Sequence, residues 1–189
     1  MPLAETVVDC RREFETAFGT CVIAWNGRGV TRLFLPGPDA ARARPSPGFA
    51  DETRGSEEIP ESIQRSIVAL QDYFAGRAIE FTDVAVDLSA TSPFHRRAYD
   101  AARALAWGQR TSYGDLARHL GSPGAARAVG QAMARNRVPI IIPCHRVLAG
   151  GGRIGGFSAP GGAVTKQRLL ELEGHNEPAA QLPLGLLHR

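Results

Sequence analysis

The chain has 189 residues, 43% hydrophobic and 22% charged, enough for one sizeable core or two small ones. No apolar run reaches the roughly 18 residues that a membrane-spanning helix needs. The N-terminus lacks a charged region followed by an apolar stretch, so no secretory signal is read and a cytoplasmic protein is expected. The net charge of +3 conceals an asymmetry: residues 1–91 carry nine arginines and fourteen acidic residues, net −5, whereas 92–175 carry twelve basic and four acidic residues, net +8. A basic half beside an acidic half suits a polyanionic partner, although a solvated basic surface explains the charge equally well. Three cysteines, Cys10, Cys21 and Cys144, make no disulfide framework. They are far apart and no C-x-x-C or H-x-x-x-H pair occurs, so no metal site and no cofactor are expected.

In chain order, Thr20–Trp25 and Val30–Leu35 read as two strands, joined by the turn Asn26-Gly27-Arg28-Gly29 into a hairpin. A Pro- and Gly-rich stretch, Pro36 to Gly48, follows. Pro60 opens a helix to about Phe74, with Ile63, Ile67, Leu70 and Phe74 at helical spacing. A further strand is read near Ile79–Val86. These elements make residues 1–88 a small α/β domain with an antiparallel sheet.

Thr91-Ser92-Pro93 reads as a domain boundary, with Ser92 as N-cap and Pro93 as first residue of a helix running to about Trp107 and stopped by Gly108. Ser112 caps the next helix, with Asp115 completing a capping box. Gly121-Ser122-Pro123 stops that helix and starts an Ala-rich one, Pro123 to Arg135. Two short helices joined by a tight turn are the signature of a helix-turn-helix. The second carries Arg127, Gln131 and Arg135 at i, i+4, i+8, on one side. A helical hairpin belonging only to the core fits the same pattern.

Val138–Ile142 is an apolar run, read as buried and extended, that delivers Pro143-Cys144-His145-Arg146-Val147. A glycine-rich loop, Gly150–Gly156, follows. A last helix spans Val164 or Thr165 to Glu173, before Gly174 and a tail from Asn176 expected to be poorly ordered. Residues 92–175 thus form a mainly α second domain, winged-helix-like, followed by the tail 176–189.

Cys144 differs from the other two cysteines, which read as small buried hydrophobes. It lies between an apolar segment and a glycine-rich loop, beside His and Arg, where a rigid core presents loop residues for chemistry. A cysteine reacts as thiolate, and a free thiol is only a few per cent ionised at neutral pH, so a base or positive field is needed. In an extended segment His145 would point away from Cys144, so linking them requires a turn or a bridging water. A carboxylate orienting the imidazole would come from Glu171 or Glu173. On residues alone, the reading stops at a reactive cysteine acting on nucleic acid.

The string Ile140-Ile-Ile-Pro-Cys-His-Arg-Val147 closely resembles the active-site motif of the O6-alkylguanine-DNA alkyltransferases. Thr111–Ala117, Gly124–Gly130, Asn136 and Leu169–Gly174 match the family in order and spacing, so the similarity covers roughly 92–175. The resemblance implies DNA repair by irreversible, single-turnover transfer of an alkyl group from O6 of guanine in double-stranded DNA to Cys144, with the target base flipped; it leaves O4-alkylthymine open as a second substrate. It implies that His145 takes the thiol proton through water, that Glu173 orients His145 and that Asn136 supports the turn. Tyr113 would press on a phosphate and supply a proton to the leaving guanine. Arg127 would fill the space left by the flipped nucleotide. The helix would enter the minor groove, with Ala126, Gly130 and Arg135 among its DNA-binding residues. Met133, Val147, Phe157 and Ser158 would line the substrate pocket, with carbonyls of Cys144 and Val147 and the Ser158 N–H facing the base. A monomer is expected. Three positions depart from the family pattern: Phe157 replaces a common tyrosine, Arg137 a frequent proline, and Ser158–Gly162 is slightly long. Three alternatives stand beside this reading: a binding-only relative, which would lack the thiol; a Cys-His-Glu hydrolase, which would turn over; and a DNA-binding regulator.

Overall fold

The computed structural model describes residues 10–37 and 59–174. Its first half is a three-stranded antiparallel meander: β1 (Cys10–Thr16), β2 (Gly19–Asn26) and β3 (Gly29–Phe34), in sequential order, followed by α1 (Glu61–Phe74). The β2–β3 hairpin turns at Asn26–Gly29, where the sequence placed it. β1 was not expected. Its segment buries only Phe14, so the apolar alternation that marks a strand is nearly absent, and pairing with β2 supplies its order instead.

The strand expected at Ile79–Val86 does not form; only Val86 bridges Val30. Carbonyls that a ladder would use are taken by one guanidinium: Arg103 donates to Phe81, Thr82 and Val84 at 2.7–2.9 Å. Val30 N–H donates to Ala85 and Asp87 N–H to Val30, both at 2.9 Å. Asp87 in turn accepts from Asn26 and Arg28, stitching the hairpin to this segment and holding its carboxyl well below the usual range despite partial burial.

The second half contains α2 (Pro93–Arg103), β4 (Thr111–Ser112), α3 (Tyr113–His119), α4 (Ala126–Ala134), β5 (Val147–Leu148) and α5 (Gly162–Leu172). Ser92 caps α2 and Ser112 caps α3, the latter accepting from Asp115 N–H at 3.0 Å. α2 ends four residues before the expected Trp107. Residues 104–108 peel off because their polar groups are used elsewhere: Leu105 O accepts from Arg146, and Trp107 N–H donates to Glu80 at 2.9 Å. α4 starts three residues after Pro123, since Ser122 O accepts from Ala125 N–H at 2.8 Å in a separate turn. α5 begins earlier than expected, at Gly162, behind Gly161 in a left-handed conformation (φ 82°).

One buried cluster runs through both halves, from Phe14, Ile23 and Leu35 through α1 to Ala102, Val129, Ile142 and Leu169. Leu33 N–H donates to Arg137 O at 2.9 Å, so the β3 edge is hydrogen-bonded to the chain just ahead of Cys144. Among the described residues, no helix is long and apolar enough to cross a membrane, and no group of three or more His, Cys, Asp or Glu is placed to hold a metal. The tail from Asn176 and residues 38–48 of the Pro/Gly stretch lie outside the described residues.

Candidate functional site

Val138–Ile142 is buried as expected but is not extended. It turns tightly, with Ile142 N–H donating to Val138 O and Ile141 N–H to Pro139 O, both at 2.9 Å. Ile140 pays for the turn by adopting φ 71°, a left-handed conformation strained for a β-branched residue. Asn136 secures it: its Nδ2 donates to Ile142 O at 2.9 Å and to Cys144 Sγ at 3.2 Å, while Oδ1 accepts from Val138 N–H at 2.9 Å. One amide thus clamps three points of the loop that carries the cysteine.

Cys144–Arg146 form a single 3₁₀ turn, which removes the alternation that would have aimed His145 away from Cys144. Pairing of β5 with β4, Val147 beside Thr111, brings this turn next to the start of α3 and its Tyr113. Cys144 is 3% exposed, so the thiol is closed off from solvent in this conformation. Burial pushes the thiol up; the Asn136 hydrogen bond and the Lys166 charge act in the opposite direction without overcoming it. Cys21, buried in β2, is raised to about 12 by burial, which leaves it an inert core residue.

His145 is fully buried, and its Nε2 lies 2.9 Å from Glu173 Oε1. Of the two candidate carboxylates, Glu173 therefore meets the imidazole, whereas Glu171 is exposed and accepts from Gln167 at 2.8 Å. Arg146 donates to both Glu173 oxygens, at 3.0 Å and 2.9 Å, and also to Leu105 O. Burial alone would raise the Glu173 carboxyl, but the His145 hydrogen bond and the Arg146 pair hold it down at about 2. Burial lowers His145, against the pull of Glu173. The resulting state at neutral pH is an ionised Glu173 beside a neutral imidazole, with Arg146 supplying the balancing charge.

Lys166 is also fully buried. Its Nζ donates to Val147 O at 2.7 Å and lies 5.7 Å from the centroid of the Tyr113 ring. Burial lowers it to about 8, against the charge of Cys144. The Val147 carbonyl thus has one intramolecular donor already, as does Cys144 O, which accepts from Val147 N–H; each keeps a second lone pair. The glycine-rich loop folds over this corner. A Cβ on Gly155 would stand 2.9 Å from the Tyr113 hydroxyl, so the loop lies against that ring. Farther along, a Cβ on Gly37 would stand 2.4 Å from Pro160 Cβ, so the end of the sheet also touches the loop.

Of the other expected site residues, Met133 and Val147 are buried, Phe157 is half-buried and Ser158 is exposed. On α4, Arg127 and Arg135 are exposed together with Gln131, while Ala126 and Gly130 are partly exposed beside them. The expected basic side of this helix is therefore accessible. α3 and α4 pack against each other, and Tyr99 of α2 donates to Ala132 O at 2.8 Å behind them.

Three groups at the site were given no role on sequence grounds: Arg146, Lys166 and Tyr73. Lys166 did carry a signal, because it shares a helical stripe with Leu169, Leu170 and Glu173, all of which are buried.

The chain matches the family described as 6-O-methylguanine DNA methyltransferase, DNA binding domain, over residues 93–175. It is 35% identical to the methylated-DNA–protein-cysteine methyltransferase of Mycobacterium leprae, covering 89% of this chain and 94% of that one. It is 41% identical to the enzyme of the same name from Mycolicibacterium paratuberculosis, over 67% of this chain and 74% of the relative. Its structure is similar to that of Mycobacterium tuberculosis OGT in complex with DNA, with a TM-score of 0.68, 34% identity, and coverage of 89% and 95%. The likeness extends along nearly the whole chain, well past the segment around Cys144, and on these grounds the chain belongs to the methylated-DNA–protein-cysteine methyltransferase family.

Proposed function

We propose that this protein repairs DNA by accepting an alkyl group from O6 of guanine onto Cys144, once per molecule. The observation that carries the reading is the cluster Asn136–Cys144–His145–Glu173, assembled beside Tyr113 and next to a helix with an exposed basic side. His145 takes the thiol proton through a bridging water and Glu173 stabilises the imidazolium that forms. The thiolate attacks the alkyl carbon: an S–C bond forms, the C–O6 bond breaks, and guanine leaves with the electron pair and takes a proton from Tyr113. The product thioether has no route back to thiol, which limits the protein to one turnover.

A base stacked inside a duplex cannot bring O6 to a sulfur set in a protein core, so the nucleotide must flip, at a cost of about a few kcal/mol. α3 and α4 act as a helix-turn-helix in a winged-helix-like second domain. The small residues Ala126 and Gly130 allow α4 to approach a narrow groove, Arg127 fills the gap in the stack, and Arg135 meets phosphate. Met133, Val147, Phe157 and Ser158 line the pocket. Since Cys144 is closed here, the site has to open to admit the base. Affinity rests on phosphates and falls steeply with salt. The partner is duplex DNA carrying O6-alkylguanine, and the working form is a cytoplasmic monomer.

The test is mass spectrometry after incubation with a duplex containing O6-methylguanine. One methyl group is expected on the peptide bearing Cys144, and Cys144→Ser should bind the duplex but transfer nothing. Repeated turnover with unmodified protein would instead establish a hydrolase, and transfer by Cys144→Ser would remove the nucleophile assignment.

A further inference from the structure

The His145–Glu173 pair receives a group from outside residues 93–175. Tyr73, in the last turn of α1, is fully buried. Its hydroxyl donates to Glu173 Oε1 at 2.8 Å and lies 3.2 Å from His145 Nε2. Nε2 itself is 2.9 Å from the same Oε1. The other ring nitrogen, Nδ1, is buried and has no hydrogen-bond partner.

The protons in this triangle can be assigned one by one. An ionised Glu173 only accepts, and Arg146 fixes its orientation through both oxygens. The phenol has one proton, directed to Oε1. The hydrogen between Nε2 and Oε1 therefore belongs to Nε2, which leaves the lone pair on Nδ1. With the reverse tautomer, Nε2 and Oε1 would face each other as two acceptors at 2.9 Å, and only the phenol proton would separate them. Tyr73 also meets the imidazole edge-on, with centroids 6.4 Å apart at 70°, and packs edge-on with Trp107 at 5.2 Å and 72°. The charged and titratable groups acting on the imidazole are Glu173, Arg146 and Lys166, with the Cys144 thiol adjacent in sequence.

We propose that Tyr73 is a positioning residue for the transfer reaction: Glu173 sets the Nε2–H tautomer, and the Tyr73 hydroxyl and ring hold carboxylate and imidazole in the geometry that leaves Nδ1 as the base, so the first half of the chain completes the active site. In the proton step Nδ1 gains the thiol proton through water, Nε2–H stays on Glu173, and Tyr73 keeps its own proton throughout. The inference rests on Cys144 being the acceptor for its effect on rate, but its claim about the imidazole stands independently.

The experiment is nitrogen-15 NMR of the His145 ring in the full chain, wild type and Tyr73→Phe, alongside single-turnover transfer across pH and duplex binding. The wild type should show Nε2 protonated and Nδ1 bare. Tyr73→Phe should keep Nε2 protonated but, with the phenol donor lost from Oε1, move the ring titration and the pH profile of transfer upward, slow transfer about tenfold, and leave duplex Kd unchanged. A wild-type ring protonated on Nδ1 overturns the proposal, whether or not the variant folds. So does a variant whose ring titration and pH profile match the wild type, even if its rate falls, because packing would then be the cause. If the wild type transfers nothing, the acceptor reading fails while the NMR result still decides the role of Tyr73.

Discussion

Asn136→Ala removes all three clamps on the turn that carries Cys144. Val138 N–H is left without its partner inside the protein, while Ile142 O loses one of two donors and keeps Cys144 N–H at 2.8 Å. A buried orphan costs about 1–3 kcal/mol and the lost bond to Ile142 O about 1 kcal/mol, so the two together cost roughly 2–4 kcal/mol. For a chain of this size, that lowers Tm by about 10 °C, at roughly 2–4 °C per kcal/mol. The strained Ile140 makes the loss worse, because its φ of 71° persists only while neighbouring bonds impose it. The variant also deprives Sγ of its N–H donor, which pushes the thiol further up and moves its alkylation by iodoacetamide to higher pH. Thermal unfolding by circular dichroism and the pH profile of alkylation read the two effects separately. Asn136→Asp should shift the thiol further than alanine does, since it sets an oxygen against the sulfur and Ile142 O. If Asn136→Ala melts within about 2 °C of wild type and alkylates with an unchanged profile, the clamp is not what holds this turn.

Arg127→Ala should slow repair of duplex substrate by ten-fold or more, in order of magnitude, while leaving reaction with free O6-benzylguanine unchanged, because only the duplex has a gap to fill; equal slowing on both would refute that role in a single-turnover assay. Acid should unfold the protein through this cluster. Glu173, held at about 2, is depressed from an ordinary 4.5, so it contributes stability that is fully present above pH 4.5 and is lost as pH falls toward 2, in all about 3 kcal/mol. His145, kept neutral by burial, adds loss in the same direction below its ordinary 6.5. Glu173→Gln should flatten the lower limb of a urea-midpoint-against-pH curve, and an unaltered limb would contradict the assignment.

The parts of the fold legible in the sequence were those governed by local chemistry. Asn26–Gly29 required a hairpin, Ser92-Pro93 and Ser112 capped helices where they were read, and the helical spacing of Ile63, Ile67, Leu70 and Phe74 marked the buried face of α1. What stayed hidden was fixed by distant groups. Arg103 took the carbonyls of Phe81, Thr82 and Val84 and prevented a strand there, Arg146 drew Leu105 O out of α2, and the polar β1 gained order from β2. At the candidate site, the order of Asn136, Cys144, His145 and Glu173 was readable from the resemblance, and the need for a turn after Cys144 followed from strand geometry. Tyr73 was unreadable, because a tyrosine in an apolar stripe looks like packing until its hydroxyl is seen against a carboxylate 100 residues away. The tight turn at Ile140 escaped for a similar reason: an isoleucine run favours extension, and only the Asn136 bonds bend it.

The shared interior of the two halves bears on inherited and engineered variation. A substitution in the meander or in α1 lies outside residues 93–175, yet it can shift Leu33 against Arg137, or Gly37 against Pro160. Such a change would be felt in the chain ahead of Cys144 and in the glycine-rich loop over Tyr113. Screens for repair-deficient alleles that sequence only the stretch around the cysteine would miss it. A fragment cut at Ser92 would lose Tyr73, Phe74 and Leu35 from its hydrophobic packing and expose what they cover.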